Sequence, residues 1–296
     1  MGAGLIIQIT TQLRRAVRIY NAFEDWRRES EEAFRTVSVG FVPTMGALHD
    51  GHASLIRRAR HELGNGGHVV VSVYVNPTQF NDASDFALYP STRESDVKMA
   101  QDAGADAVVF PRSDELYPKG IPARAEPVDY GTLTGHWEAL HRVGHFDGVV
   151  AVVRSLFRLV EPERVYFGEK DWQQLAVISE LVRREFFGLT VVPVPTVREH
   201  DGLAMSSRNI RIAPGDRKTA ALLYGALCAV ADAGGAQDSV DAQTAELLAR
   251  GWEMEYLAVV DAETLEDAVD STYERRVLAA GFCGGVRLID NLRVSG

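Results

Sequence analysis

Cysteine is nearly missing from this 296-residue chain, which has two, Cys228 and Cys283. They stand far apart and in no metal-ligand spacing, which excludes a disulfide framework and fits two small core residues in a reducing compartment. Basic charge is short as well: 31 Lys and Arg face 41 Asp and Glu, for a net charge of −10. An extended surface for a phosphate backbone, and with it nucleic-acid binding, is therefore not expected, although a local cation cluster can still hold a nucleotide. The longest apolar run, "VVAVVRSLFRLV", is interrupted by Arg154 and Arg158, so no membrane span is expected. The opening "MGAGLIIQITTQL" lacks a basic segment ahead of a long apolar core and has Ile6 where a myristoylation signal needs Ser or Thr. These absences predict a cytoplasmic protein with neither membrane nor nucleic-acid partners. No internal repeat is seen.

What is present is 46% hydrophobic and 24% charged, enough for one or two soluble domains with real cores and long enough for an enzyme. Residues 37–42 ("VSVGFV"), 69–75 ("VVVSVYV"), 106–110 ("DAVVF"), 164–167 ("RVYF") and 190–194 ("TVVPV") are short and rich in Val and aromatics, as buried strands are. Helical periodicity lies between them. In 51–63 Leu55, Ile56, Ala59 and Leu63 share a face, and 91–104 opens on Ser91 and Glu94 in capping-box spacing and stops at Gly104. Residues 146–161 align Val149, Val153, Leu156, Phe157 and Val160, and 171–187 align Leu175, Ile178 and Val182.

Strand and helix in alternation predict an α/β fold, a doubly wound parallel sheet that binds ligands at the carboxyl ends of its strands. After residue 196 come two helical segments, 214–233 and 239–250, and strands at 255–261, 277–282 and 285–290, with "GGAQDSVDAQ" (234–243) as a polar surface loop. A first domain over 1–196 and a second, smaller α+β domain over 197–296 are expected.

Four stretches carry chemistry. In "GFVPTMGALHDGH" (40–52), His49 and His52 fall where a strand gives way to a helix, with Gly46 and Gly51 letting the backbone come close to a ligand. A helix N-terminus favours an anion and the imidazoles add donors, which suits a polyphosphate, while the pair alone is equally a capped helix with two surface histidines. Zinc lacks a third ligand in metal spacing. "FGEKDWQQ" (167–174) puts Lys170, Asp171 and Gln174 just past a strand, either a phosphate and hydroxyl site or a solvated turn. "DGLAMSSRN" (201–209) offers two hydroxyls and Arg208, either an anion clamp or simply a loop. In "VNPTQF" (75–80), the amides of Asn76 and Gln79 suit hydroxyls and a carboxylate, although Asn76 before Pro77 is also plain turn chemistry. All four fall at the carboxyl ends of strands or on the loops that follow, and jointly describe one nucleotide cleft.

"PTMGALHDGH" resembles the HIGH-type signature of nucleotidyl-transfer enzymes, and "MSSRN" resembles their flexible KMSKS-type loop. With "VNPTQF" and "FGEKDWQQ" in this order and spacing, the chain resembles the pantoate–β-alanine ligase family, the pantothenate synthetases, over nearly its whole length. The resemblance implies a Rossmann-like domain for ATP and pantoate, followed by a smaller lid domain. It implies two steps: pantoate and ATP give pantoyl adenylate and pyrophosphate, then β-alanine attacks to give pantothenate and AMP. Mg²⁺ held mainly by phosphates and water, with no protein ligands assigned, and a homodimer through the first domain are implied as well. The ATP site carried over is Met45, Gly46, Ala47, Leu48, His49, Asp50, Gly51 and His52; Gly168, Glu169, Lys170 and Asp171; Val197; and Met205, Ser206, Ser207 and Arg208. His52 is the family's assigned proton donor, with His49, Lys170, Ser206 and Arg208 as the other catalytic groups. Gln79 and Gln174 hold pantoate, Gln79 facing β-alanine too.

Ser91, Val143, Ala151 and a slightly long "TGHWEALHR" (134–142) depart from the family pattern near the pantoate and dimer regions. The alternatives are a nucleotidyltransferase acting on a phosphate-bearing cofactor, a tRNA synthetase fragment and a non-enzymatic nucleotide sensor. The first has no use for paired glutamines, the second needs an anticodon domain, and turnover excludes the third.

Overall fold

A computed structural model of the chain describes residues 16–34, 37–81, 86–269 and 272–294. Six strands, β1 (Arg18–Tyr20), β2 (Val39–Thr44), β3 (His68–Val73), β4 (Ala107–Val109), β5 (Arg164–Gly168) and β6 (Thr190–Val194), form one sheet in the order β1-β4-β3-β2-β5-β6. Every pairing in it is parallel. Alternate strand residues face opposite layers. Phe41, Val70, Val109 and Val165 pack under helices α1 (Phe23–Phe34), α4 (His145–Val160) and α5 (Trp172–Glu185). Val42, Val69, Val71 and Tyr166 pack under α2 (Asp50–Leu63) and α3 (Arg93–Ala103). The chain winds outward in one direction from β2 to β3 and in the other from β5 to β6. The carboxyl ends of β2 and β5 therefore flank the switch point, where open α/β sheets leave a crevice.

Strand β1 and helix α1 have no counterpart in the sequence reading. β1 is three residues with only Tyr20 buried, and α1 buries Phe23, Trp26 and Ser30 in an otherwise charged segment. The expected capping box at Ser91 and Glu94 is not formed: α3 starts at Arg93 with Thr92 as cap, and the Thr92 hydroxyl donates instead to Asp96 Oδ1 at 3.0 Å. A buried carboxylate in the first turn is the stronger acceptor for that hydroxyl.

In the remainder, α6 (Arg217–Asp232) and α7 (Gln237–Ala249) cover one face of an antiparallel sheet ordered β7 (Glu253–Asp261), β8 (Arg275–Cys283) and β9 (Val286–Val294). The polar loop expected at 234–243 is shorter, because Gly234 and Gly235 end α6 at positive φ and α7 begins at Gln237. Only Val240 and Leu247 of α7 are buried, so its start at Gln237, two residues ahead of the expected 239, carries no apolar mark. Cys283 is buried in this core, whereas Cys228 is half-buried rather than a core residue. The second face of the small sheet packs through Val260 and Leu278 against Trp137 and Trp172 of the large-sheet portion. Trp172 Nε1 donates to Ala262 O and Trp137 Nε1 to Leu265 O, both at 2.8 Å. No helix among the described residues is long and apolar enough to cross a membrane.

Candidate active site

The histidine stretch leaves the carboxyl end of β2. Thr44 Oγ1 donates to Ser72 O at 2.8 Å and accepts the Gly46 N–H at 3.2 Å, and the chain then turns through positive φ at Gly46 (85°) and Ala47 (49°). Ala47 carries a Cβ, so its φ costs energy that a tight hold must offset. Asp96, reaching across from α3, supplies it, accepting Ala47 N–H at 3.1 Å and Leu48 N–H at 2.8 Å.

His49 then caps α2. Its Nδ1 accepts the Gly51 N–H at 3.1 Å, and His52 Nδ1 accepts the His49 N–H at 3.2 Å. Both Nδ1 atoms are acceptors, so each neutral ring carries its proton on Nε2 as a donor. Burial first, and the Lys170 charge after it, hold His49 down to about 4. Burial, then His49 and Lys170, hold His52 at about 3. Both rings are therefore neutral at pH 7. The capped-helix reading and the ligand reading thus describe opposite edges of the same rings. A Cβ on Gly51 would lie 2.8 Å from the His49 ring, so its bareness also makes room for the cap itself.

These rings open onto a cleft between the large sheet and the β8–β9 face of the small one. From the first stretch Met45, His49, Gly51 and His52 border it. Gly46 and Ala47 form the turn behind, Leu48 packs into the α2 core, and Asp50 is exposed, 3.8 Å from Arg57. From the end of β5 come Gly168, Lys170, Asp171 and Gln174. Lys170 Nζ lies 3.5 Å from Asp171 Oδ1, while the Glu169 carboxylate turns away to Arg276 at 3.5 Å. Val197, Met205, Ser206, Ser207 and Arg208 line the opposite rim. There Ser206 Oγ caps a one-turn helix by accepting Arg208 N–H at 3.2 Å, and Ser207 Oγ lies 3.4 Å from the Tyr89 hydroxyl.

The neighbouring glutamines Gln173 and Gln174 divide their tasks. Both border the cleft, but buried Gln173 spends its amide on the backbone, accepting Glu138 N–H at 3.0 Å and donating to Leu133 O and His136 O, and so pins the 131–142 segment. Buried Asn76 is more than a turn residue. Its Nδ2 donates to Gln79 Oε1 and Gly148 O, both at 3.1 Å, and its Oδ1 accepts the Tyr117 hydroxyl at 2.7 Å. The Gln79 amide is thereby oriented with Nε2 toward Met45 Sδ, 3.0 Å away.

Several lining residues were missed from sequence because distant parts of the chain complete their surroundings, Arg287 for Glu138 and Gln79 O for His145. Arg142, pushed down to about 10 by burial with Glu138 opposing, borders the cleft between His145 Nε2 at 3.1 Å and Glu138 Oε2 at 3.8 Å. His145 Nδ1 faces Gln79 O at 2.9 Å and must donate, so its Nε2 accepts from Arg142; burial, then Arg142, hold the ring at about 3. Burial pushes Glu138 up, but Arg287, Arg142 and the Tyr256 hydroxyl outweigh it and hold the carboxyl at about 2. No signal in "HWEALHR" marks these residues. "RVGHF" is as close as the sequence comes. Asp96 was equally invisible.

Two histidine donors, a lysine, an arginine and two amides thus line one cleft at the switch point. The family model for pantoate-beta-alanine ligase matches residues 15–293. The chain belongs to the pantoate–β-alanine ligase family. Among the members it is similar to are a pantothenate synthetase from Thermus thermophilus, 46% identical over 275 residues that span 90% of this chain and 96% of that one, and its counterpart from Bdellovibrio bacteriovorus, 42% identical over 95% and 100%. A crystal structure of pantothenate synthetase from Thermus thermophilus superimposes with a TM-score of 0.83 at 43% identity, covering 95% of this chain and all of that one. The pantoate–β-alanine ligase from Francisella tularensis, solved with beta-gamma ATP and beta-alanine, does so at 0.79 and 30% identity, covering 95% and 99%.

Proposed function

We infer that this chain is an ATP-dependent ligase that joins pantoate to β-alanine through a pantoyl adenylate, releasing pyrophosphate and AMP, the activity of its family. The observation that carries the assignment of roles is the convergence of the His49 and His52 Nε2–H edges, Lys170 and Arg208 with Gln79 and Gln174 on one cleft.

In the first step the pantoate carboxylate attacks the α-phosphorus and pyrophosphate leaves. Two anions approach each other, so the cations offset charge that builds up in the transition state. We assign the polyphosphate to His49, His52, Lys170, Ser206 and Arg208. His52 offers its Nε2–H edge to the phosphates, the edge through which the proton-donor role implied by the resemblance would act; in the free protein burial, then His49 and Lys170, hold the ring neutral at pH 7. Gln79 and Gln174 hold pantoate, their uncharged amides matching hydroxyls and a carboxylate. In the second step the neutral amine of β-alanine attacks the acyl carbon and AMP departs with the electron pair of the broken bond. Holding amine and adenylate side by side removes up to roughly 7 to 11 kcal/mol of entropic barrier in well-oriented cases.

Among the described residues no group of three His, Cys, Asp or Glu side chains could hold a metal ion. As the resemblance implies, Mg²⁺ would arrive on ATP, held mainly by phosphate oxygens and water, and screen phosphate charge. We also propose a lid role for the 201–209 segment and the 197–296 portion, and, on family resemblance alone, a cytoplasmic homodimer.

The test is incubation with ATP, pantoate and β-alanine. AMP release that requires β-alanine supports the ligase, and adenylyl transfer to a phosphate-bearing acceptor instead rejects it. Lys170→Ala is expected to slow pyrophosphate release by roughly a hundredfold. Gln79→Ala and Gln174→Ala are expected to weaken pantoate more than ATP; equal weakening of both ligands rejects their assignment.

A further inference from the structure

The turn that carries Lys170 is held from the other sheet. Asn291, on β9 and buried, donates Nδ2 to Glu169 O and to Lys170 O, each at 2.8 Å. Its Oδ1 accepts from Arg276 Nη1, and the Arg276 guanidinium lies over the Trp172 ring, 3.4 Å from the centroid. Asp290, the residue before, takes Arg198 at 2.5 and 3.0 Å, and Arg198 in turn donates to Gly202 O at 3.1 Å, at the root of the Met205–Arg208 rim. Neighbouring residues of β9 thus reach the two cation-bearing segments of the cleft.

The chemistry at position 291 is narrow. Two carbonyls need two donors and one guanidinium needs an acceptor, and at this chain length only a primary amide supplies all three. The segment it grips, Glu169–Asp171, is a single 3₁₀ turn with no side-chain cap of its own, and such turns have poor internal hydrogen-bond geometry. The direction in which Lys170 leaves the backbone is therefore set largely by Asn291. A displacement of about 1 Å at a reacting group can cost roughly a hundredfold in rate.

We propose that Asn291 is a positioning residue for adenylate formation, acting through Lys170 by clamping the carbonyls of residues 169 and 170. The proposal rests on the phosphate role assigned to Lys170. It makes the smaller domain part of the first half-reaction and not only a cover over it.

The experiment measures both half-reactions under single-turnover conditions in Asn291→Asp, which keeps shape and the acceptor for Arg276 but removes both donors, and in Asn291→Ser, which removes the grip without adding charge. Each is made alone and together with Lys170→Ala, and circular dichroism and thermal melts establish folding. Adenylate formation should fall roughly tenfold to a hundredfold in at least one folded single variant, while conversion of supplied pantoyl adenylate by β-alanine changes by less than about threefold. In the Lys170→Ala background the same substitution should cost no more than about twofold. Full multiplication of the two losses, equal loss in both half-reactions, or failure of both variants to fold would overturn the positioning role in favour of a structural one. If Lys170→Ala alone leaves adenylate formation unchanged, the phosphate assignment falls and the proposal with it.

Discussion

The carboxylate of Asp96 reaches from α3 to accept the backbone N–H of Leu48 at 2.8 Å, and its second oxygen takes the N–H of Ala47 at 3.1 Å. A buried acid 48 residues downstream thus holds the turn that aims the histidines.

Replacing Asp96 with Ala leaves two N–H groups and the Thr92 hydroxyl without their acceptor. Hydrogen bonds to a charged group are worth about 1.5 to 3 kcal/mol each, so a loss of roughly 3 kcal/mol is expected in urea unfolding, with a raised KM for ATP. Stability within about 0.5 kcal/mol of the parent would show that the Ala47 turn holds itself.

His52 offers a separation of cap from chemistry. Asn places its Oδ1 near the position of the imidazole Nδ1, so His52→Asn keeps an acceptor for the His49 N–H and loses only the cleft-facing donor. Its melting temperature should stay close to the parent's while adenylate formation falls roughly a hundredfold or more, the usual cost of one donor aimed at developing charge. His52→Gln should do the reverse, losing the cap at about 1 kcal/mol while retaining more of the first half-reaction. The same ranking of both variants in melting temperature and in rate would contradict the division.

Gly148 lets α4 touch the turn bearing Gln79: a Cβ there would collide with Thr78 O and stand 2.7 Å from Gln79 N. Gly148→Ala must push backbone away from backbone, at a cost of about 1 to 3 kcal/mol by the usual range for overpacking. Since Gln79 is the proposed pantoate residue, KM for pantoate should rise while KM for ATP stays near normal. Steady-state kinetics with each substrate varied in turn decides it.

Stability should fall as the solution is acidified. His49, His52 and His145 take up protons in the unfolded chain near the usual 6.5 but in the fold only near 4, 3 and 3. Between pH 6.5 and 4 the unfolded state binds more protons, so each ring removes up to about 1.4 kcal/mol per pH unit. Glu138 acts lower: its carboxyl, held at about 2 against the usual 4.5, contributes stability that is present above pH 4.5 and lost as pH falls toward 2. Urea unfolding at pH 7, 5.5 and 4.5 measures the slope. His145→Asn should flatten it by about one proton, and an unchanged slope would place the proton uptake elsewhere.

The alternation of short Val-rich strands with amphipathic helices was enough to specify a doubly wound sheet, because burial on both sheet faces and on one helix face is written locally, with periods of two and about 3.6. The strand-to-helix junctions at His49 and Lys170 were legible for the same reason: chain order places them at carboxyl ends, and the parallel sheet brings those ends together. The tautomers of His49 and His52, the orientation of the Gln79 amide by Asn76 and the separate duties of Gln173 and Gln174 were not legible, since each depends on which hydrogen-bond partner arrives in space. Glu138 with Arg287, Asp96 under the Ala47 turn and Asn291 against Lys170 join residues from about 50 to about 150 positions apart. Such partners leave no periodicity, and only tertiary packing decides them, of α3 against the turn after β2 for Asp96 and of the small sheet against the large-sheet portion for Arg287 and Asn291, because a buried polar group has to find its partner in three dimensions or not be buried.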